Sequence, residues 1–125
     1  LETTLSGNLH RRLVRKAQQY GFYVVLIYIW VDSPKISVRR VNERVKRGGH
    51  FIRKEDILRR YRRGIVNLFD VYMDSCDMWT IIDSTTPPQK LVASQGEIEF
   101  EIYHNDIWKK INAKYNEFAG KKSLY

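Results

Sequence analysis

The run FYVVLIYIWV, residues 22–31, limits what this chain can fold into more than any other segment. Ten consecutive apolar residues, rich in β-branched and aromatic side chains, leave no polar face for water. They are too few to cross a bilayer and begin too far from the N-terminus to be a signal peptide. They predict a strand buried on both faces, the environment of a parallel α/β sheet. DMWTIID (77–83) predicts a second inner strand. Only helical spacing lies between the two, so parallel strands joined by helical crossovers are expected.

The helices can be placed from their apolar spacing and their caps. Leu9, Leu13, Ala17 and Tyr20 form an amphipathic helix closed by Gly21. Ser33-Pro34 is an N-cap followed by proline in the first turn. The helix that follows carries Val38, Val41 and Val45 and stops at Gly48-Gly49. Another starts near Lys54, with Glu55 and Asp56 in its first turn and an apolar set of Ile57, Tyr61, Ile65, Leu68 and Tyr72. After DMWTIID, TTPPQK reads as a loop, and LVAS with EIEFEIY as a hairpin around Gln95-Gly96. Glu97, Glu99 and Glu101 share one face of it, which is expected to be the solvated face of an edge strand rather than a cation site. A last helix starts near Asn105 and carries Ile107, Ile111, Tyr115 and Phe118.

These elements amount to one α/β domain spanning residues 1–125. They also leave a two-sided apolar strand without a neighbour. The chain opens at Leu1 rather than Met, and a fragment, a processed product or a trimmed chain is expected. The single Cys76 excludes an internal disulfide and there is no Cys-x-x-Cys pair, so the expected location is the cytoplasm, with no membrane partner.

Charge is concentrated rather than spread. Between Arg39 and Arg63 stand eleven basic residues against three acids, a difference equal to the +8 of the whole chain. One anionic partner at one place is the natural inference. Glu43–Arg47, Glu55–Arg59 and Asp56–Arg60 have the i, i+4 spacing of helix-surface pairs, each worth a few tenths of a kcal/mol. That leaves Arg40 and Arg44, which with Arg47 make a stripe at i, i+4, i+7, off the valine face. Like charges so spaced cost stability unless an anion bridges them, and guanidinium forks fit phosphate oxygens. The Gly48-Gly49 pair would let the next helix fold over the same ligand. A solvated surface and a nucleic-acid footprint, which would bind with a steep salt dependence, are the competing readings of the window.

His50 either meets a phosphate or caps the preceding helix. His10 and His104 read as surface residues, and no histidine spacing suits a metal. AGKKS (119–123) resembles a Walker A ending, but Tyr115 stands where the first glycine belongs. Asp32 is explained by helix entry. Asp83 ends a strand where α/β proteins hold ligands.

ETTLSG (2–7), SPKISVRRVNERVKRGGHFIRKEDILRRYRRGIVNLF (33–69) and DMWTIIDST (77–85), in that order, resemble the zeta-toxin-like group of P-loop kinases. The matching pattern is Ser33, then Arg40-Val41 and Arg44-Val45, Gly48-Gly49-His50 and Arg59-Arg60-Tyr61. The resemblance implies a partial three-layer αβα P-loop kinase fold with parallel inner strands, an arginine-rich lid over about 33–64, and a C-terminal hairpin plus helix. It implies an ATP- and Mg2+-dependent transfer of the γ-phosphoryl group to a small hydroxyl compound, in the founding toxins a nucleotide sugar. Arg40, Arg44 and Arg47 take the catalytic lid positions. Glu2 and Thr3 fall in the substrate segment, and His50, Arg59, Arg60, Asp83 and Ser84 on the nucleotide side. Arg53 stands where the family has proline. The family's Walker A loop and catalytic Asp precede ETTLSG, so this chain is expected to be the lid-bearing part, inactive by itself and binding no cofactor alone. Its expected partners are ATP, the hydroxyl substrate, and an antitoxin or the missing N-terminal half. A nucleic-acid-binding module and an inactive partner-binding remnant are the alternatives.

Overall fold

In the computed structural model, which describes residues 2–7 and 9–123 (the last three as helical backbone only), two strands pair in parallel. They are β1 (Val25–Trp30) and β2 (Met78–Asp83), and their register runs unbroken from Val25 opposite Met78 to Trp30 opposite Asp83. β3 (Lys90–Gln95) pairs antiparallel with β2, and β4 (Phe100–Ile102) antiparallel with β3. The result is a mixed four-stranded sheet in the order β1-β2-β3-β4.

Five α-helices and one π-helical turn complete the fold among the described residues. α1 (Leu9–Gln19) precedes β1. α2 (Pro34–Lys46) and α3 (Lys54–Asn67) cross from β1 to β2. A π-helical turn (Leu68–Tyr72) and the short α4 (Met73–Ser75) prolong α3, and α5 (Asn105–Ser123) closes the chain. The α/β class and the element order expected from the sequence are therefore present. None of the helices among the described residues is long and apolar enough to cross a membrane.

Sequence chemistry accounts for the element ends. Ser33 is extended (φ −147°), and its hydroxyl accepts from the amide of Lys35, with Pro34 at the first helical position. Gly48 takes a positive φ of 93°, which only glycine adopts freely. At Gly49 an added Cβ would lie 2.8 Å from the Arg44 carbonyl oxygen, so that position has no room for a side chain. The two glycines thus fix the turn out of α2. Asp77 sets the start of β1 by accepting from the Val24 amide (2.7 Å) and from Gln18 Nε2 (3.1 Å).

The core lies on one face of the sheet. Trp30 of β1, Trp79 and Ile81 of β2, and Val92 and Ala93 of β3 are buried there against Ile65, Leu68 and Tyr72 of the long helix and Ile111 of α5. The apolar set read from α3 is buried in full. Trp79 stacks nearly parallel on Trp108, with Phe69 and Phe100 tilted against Trp108. Each fully buried Ile, Leu or Val contributes about 1.5–3 kcal/mol.

One expectation needs correction. The run 22–31 is not an inner strand buried on both faces. β1 is an edge strand, and Val25, Ile27 and Ile29 on its outward face are 49%, 59% and 50% exposed. Among the described residues β1 has a strand neighbour on one side only. The hairpin expected after DMWTIID joins the sheet as two antiparallel strands, so the sheet is mixed. On β4, Glu99 and Glu101 are exposed as expected, but Ile98, Phe100 and Ile102 between and beside them are exposed as well.

The N-terminal segment is clamped onto α3. Asn67 Nδ2 donates to the Leu5 carbonyl (2.6 Å), and the Tyr72 hydroxyl to the Gly7 carbonyl (2.9 Å). Leu5 is buried at a left-handed φ of 58°, a conformation that costs a leucine about 1–3 kcal/mol and persists because its surroundings hold it. Gly64 makes this approach possible, since a Cβ there would meet the Thr4 carbonyl oxygen at 2.7 Å. Gly64→Ala is expected to lower unfolding stability by about 1–3 kcal/mol, measured by urea denaturation. An unchanged midpoint would show that the segment is not held there.

Candidate functional site

An open groove of about 800 Å³ runs along the free edge of β1. Consecutive residues Val25 to Ile29 line it, so it follows the strand's edge rather than either face. Its other walls are the Glu2–Leu5 segment, one side of α2, Ile52, and the first turns of α3. Ser37, Arg40, Val41 and Arg44 enter it together because three- and four-residue steps bring them to one helix face. Ile57, Arg60 and Tyr61 enter from α3 for the same reason.

Three guanidinium-bearing residues, Arg40, Arg44 and Arg60, therefore share this groove with Glu2 and Thr3. Arg40 donates to the carbonyl and the hydroxyl of Ser84, joining α2 to the segment after β2. Arg44 and Arg60 have no carboxylate within ion-pair distance among the described residues. Thr3 Oγ1 accepts from the Leu5 amide and shares a hydrogen bond with His10, which fixes the wall they belong to.

The carboxyl ends of β1 and β2 are tied behind the groove. Ser84 donates its amide to the Trp30 carbonyl (2.8 Å), and the Tyr61 hydroxyl donates to the Val31 carbonyl (2.7 Å). Asp83 is 7% exposed and accepts from the amide and hydroxyl of Thr85, whose Oγ1 in turn accepts from the Asp32 amide. Asp83 thus braces the strand ends. Thr85 was not singled out by the sequence, although its place beside Asp83-Ser84 was the available signal.

The stripe expected on α2 is only partly formed. Arg47 caps the helix with φ −98° and ψ 13°, where the helical path has ended, so it does not continue the line of Arg40 and Arg44 and is not part of the groove wall. Arg60 from the next helix takes the third position instead. The expected i, i+4 ion pairs are replaced: Asp56 meets Arg53 at 3.2 Å and Arg59 at 3.3 Å. Those contacts hold its partly exposed carboxyl below the usual range, the Arg53 hydrogen bond most of all. Both partners are three residues away, and this leaves Arg60 to the groove. Arg59 and the exposed His50 lie outside it. No group of three or more metal-ligating side chains forms among the described residues, and Asp83 is already engaged by Thr85.

No family model matches the chain, and no solved structure matches it. A Haemophilus influenzae protein described as "Uncharacterized protein" is 43% identical over 61 residues, which is 49% of this chain. The match spans 44% of that relative's length, less than half of it.

Burial raises the Tyr28 and Tyr61 hydroxyls well above the ordinary tyrosine value, with the neighbouring Tyr61 adding to the effect at Tyr28 and Asp32 adding at Tyr61. A pKa raised by folding contributes stability that is complete below the unfolded value, about 10, and is lost as pH climbs past it toward the folded value. Unfolding free energy is expected to fall above about pH 10 for this reason. Tyr28→Phe should make that fall shallower, as read by urea denaturation across the alkaline range.

Proposed function

We propose that this chain is the arginine-bearing, phosphate-clamping part of an ATP-dependent phosphotransferase. The observation that carries this reading is the convergence of Arg40, Arg44 and Arg60 on one groove along the free edge of β1. α/β sheets hold ligands at strand carboxyl ends, and Arg40 reaches that end of β2 through Ser84. Guanidinium groups donate in pairs to phosphate oxygens and neutralise charge on a transferring phosphoryl group. The Arg40–Ser84 hydrogen bonds fix one guanidinium in place, while Arg44 and Arg60 keep their donors for a ligand. Glu2 and Thr3 offer a carboxylate and a hydroxyl at the same groove, suited to a small hydroxyl acceptor such as a nucleotide sugar. ATP supplies the phosphoryl group, and these residues bind and orient it. The residues of this chain include no Walker A loop, so on this reading it binds phosphate without turnover.

Tripolyphosphate titrated into the chain by calorimetry is expected to bind. Arg44→Ala should weaken that binding about tenfold, the loss of a charge-assisted hydrogen bond, while Arg47→Ala leaves it nearly unchanged. Absence of binding would favour an inactive partner-binding remnant. Equal losses at Arg44, Arg47, Arg62 and Arg63, together with steeply salt-dependent binding to duplex DNA, would replace the proposal with nucleic-acid binding.

A further inference from the structure

Thr3 stands in the wall of the arginine groove, and its hydroxyl already has two neighbours. Its Oγ1 accepts from the Leu5 amide at 3.1 Å and lies 3.2 Å from Nδ1 of the partly exposed His10, near the start of α1. The Leu5 amide is held in place from α3, because Asn67 takes the Leu5 carbonyl and the Thr4 backbone lies against Gly64. One lone pair of the Thr3 hydroxyl is therefore already in use.

A hydroxyl has one proton and two acceptor lone pairs, and each imidazole nitrogen is either a donor or an acceptor. When His10 Nδ1 carries no proton, Thr3 must donate to it. The groove is then left with a lone pair, which accepts from a ligand hydroxyl and repels an anionic oxygen. When Nδ1 is protonated, in the imidazolium or in the Nδ1–H tautomer, it donates to Thr3. Both lone pairs are then occupied, and the Thr3 proton is free to donate into the groove that Arg40, Arg44 and Arg60 line.

We propose that His10 is a positioning residue for this groove: the proton on its Nδ1 decides whether Thr3 offers a donor to an anion or an acceptor to a hydroxyl. The inference rests on the phosphate reading of the groove and adds to it a residue that does not itself line the groove. The charged and titratable groups around the pair come from several elements. Glu2 lies on the segment itself, and Arg40 and Arg44 of α2 and Arg60 of α3 line the groove. Arg11 follows His10 on α1, with Tyr72 of the π turn at Gly7 and Asp74 on α4, the helix packed against α1. Among these residue types, histidine is the one that ordinarily changes charge between about pH 5 and 8.

The test is calorimetry of tripolyphosphate with the intact chain and with Thr3→Val, at about pH 5.5 and about pH 8. The ratio of the two affinities cancels the titration of the ligand and the bare charge of His10, since both act on either chain alike. That ratio is expected to be at least about threefold larger at the lower pH, the worth of one added hydrogen bond. Thr3→Ser should behave as the unmutated chain, and in a His10→Phe background the ratio should not change with pH. An equal ratio at both pH values, with binding intact, overturns the role of His10 and leaves the phosphate reading standing. No binding of tripolyphosphate at either pH overturns the phosphate reading and this inference with it. If Thr3→Val fails to fold, 15N NMR of the His10 imidazole in the unmutated chain decides. Saturating tripolyphosphate at about pH 8 should increase the protonated share of Nδ1, and an unchanged share overturns the proposal.

Discussion

Six residues of β1 lie opposite six of β2, and because the strands run the same way their carboxyl ends finish side by side. The Ser84 amide then reaches the Trp30 carbonyl, Thr85 receives the Asp32 amide, and Asp83 anchors Thr85. A parallel pair needs a crossover, and here the crossover is α2, the glycine turn and α3. The strand pairing therefore decides where both arginine-bearing helices emerge. Without it Arg40 would have no Ser84 to meet, and the groove would lose its floor.

The remaining stability comes from covering one face of that sheet. α3 buries a complete side, from Ile57 to Ile65, and the π turn carries the burial on to Leu68 and Tyr72. α5 lays Ile107, Trp108 and Ile111 over the same layer. Polar contacts at the rim are short-range and positional: Tyr61 to Val31, Asn67 to Leu5, Tyr72 to Gly7. They hold the loops and the N-terminal segment where the groove needs walls. Gly64 belongs to this group, because its missing Cβ is what lets the Thr4 backbone lie against α3.

Charge is arranged on the same principle of local satisfaction and distant convergence. Asp56 gathers Arg53 and Arg59 at the exposed start of α3. Exposed pairs of this kind add little to stability, since water already solvates both partners. Arg44 and Arg60 are left unmatched beside apolar β1, the position in which a bound anion would gain most.

Much of this was legible in the residue order. The capped start of α2 at Ser33-Pro34, its end at Gly48-Gly49, the apolar side of α3 and the hairpin around Gln95-Gly96 depend on spacing and local backbone chemistry, which a sequence carries directly. The spacing set Arg40 and Arg44 off the valine face, but Val41 enters the groove beside them. Tertiary structure decided the rest. Whether a ten-residue apolar run is covered on both sides depends on its neighbours, and β1 proved to be an edge. Whether Arg47 or Arg60 completes the arginine set depends on where α2 unwinds and how α3 lies against it. Local pattern sets the face a side chain occupies, and only the packing of one element on another sets what that face meets.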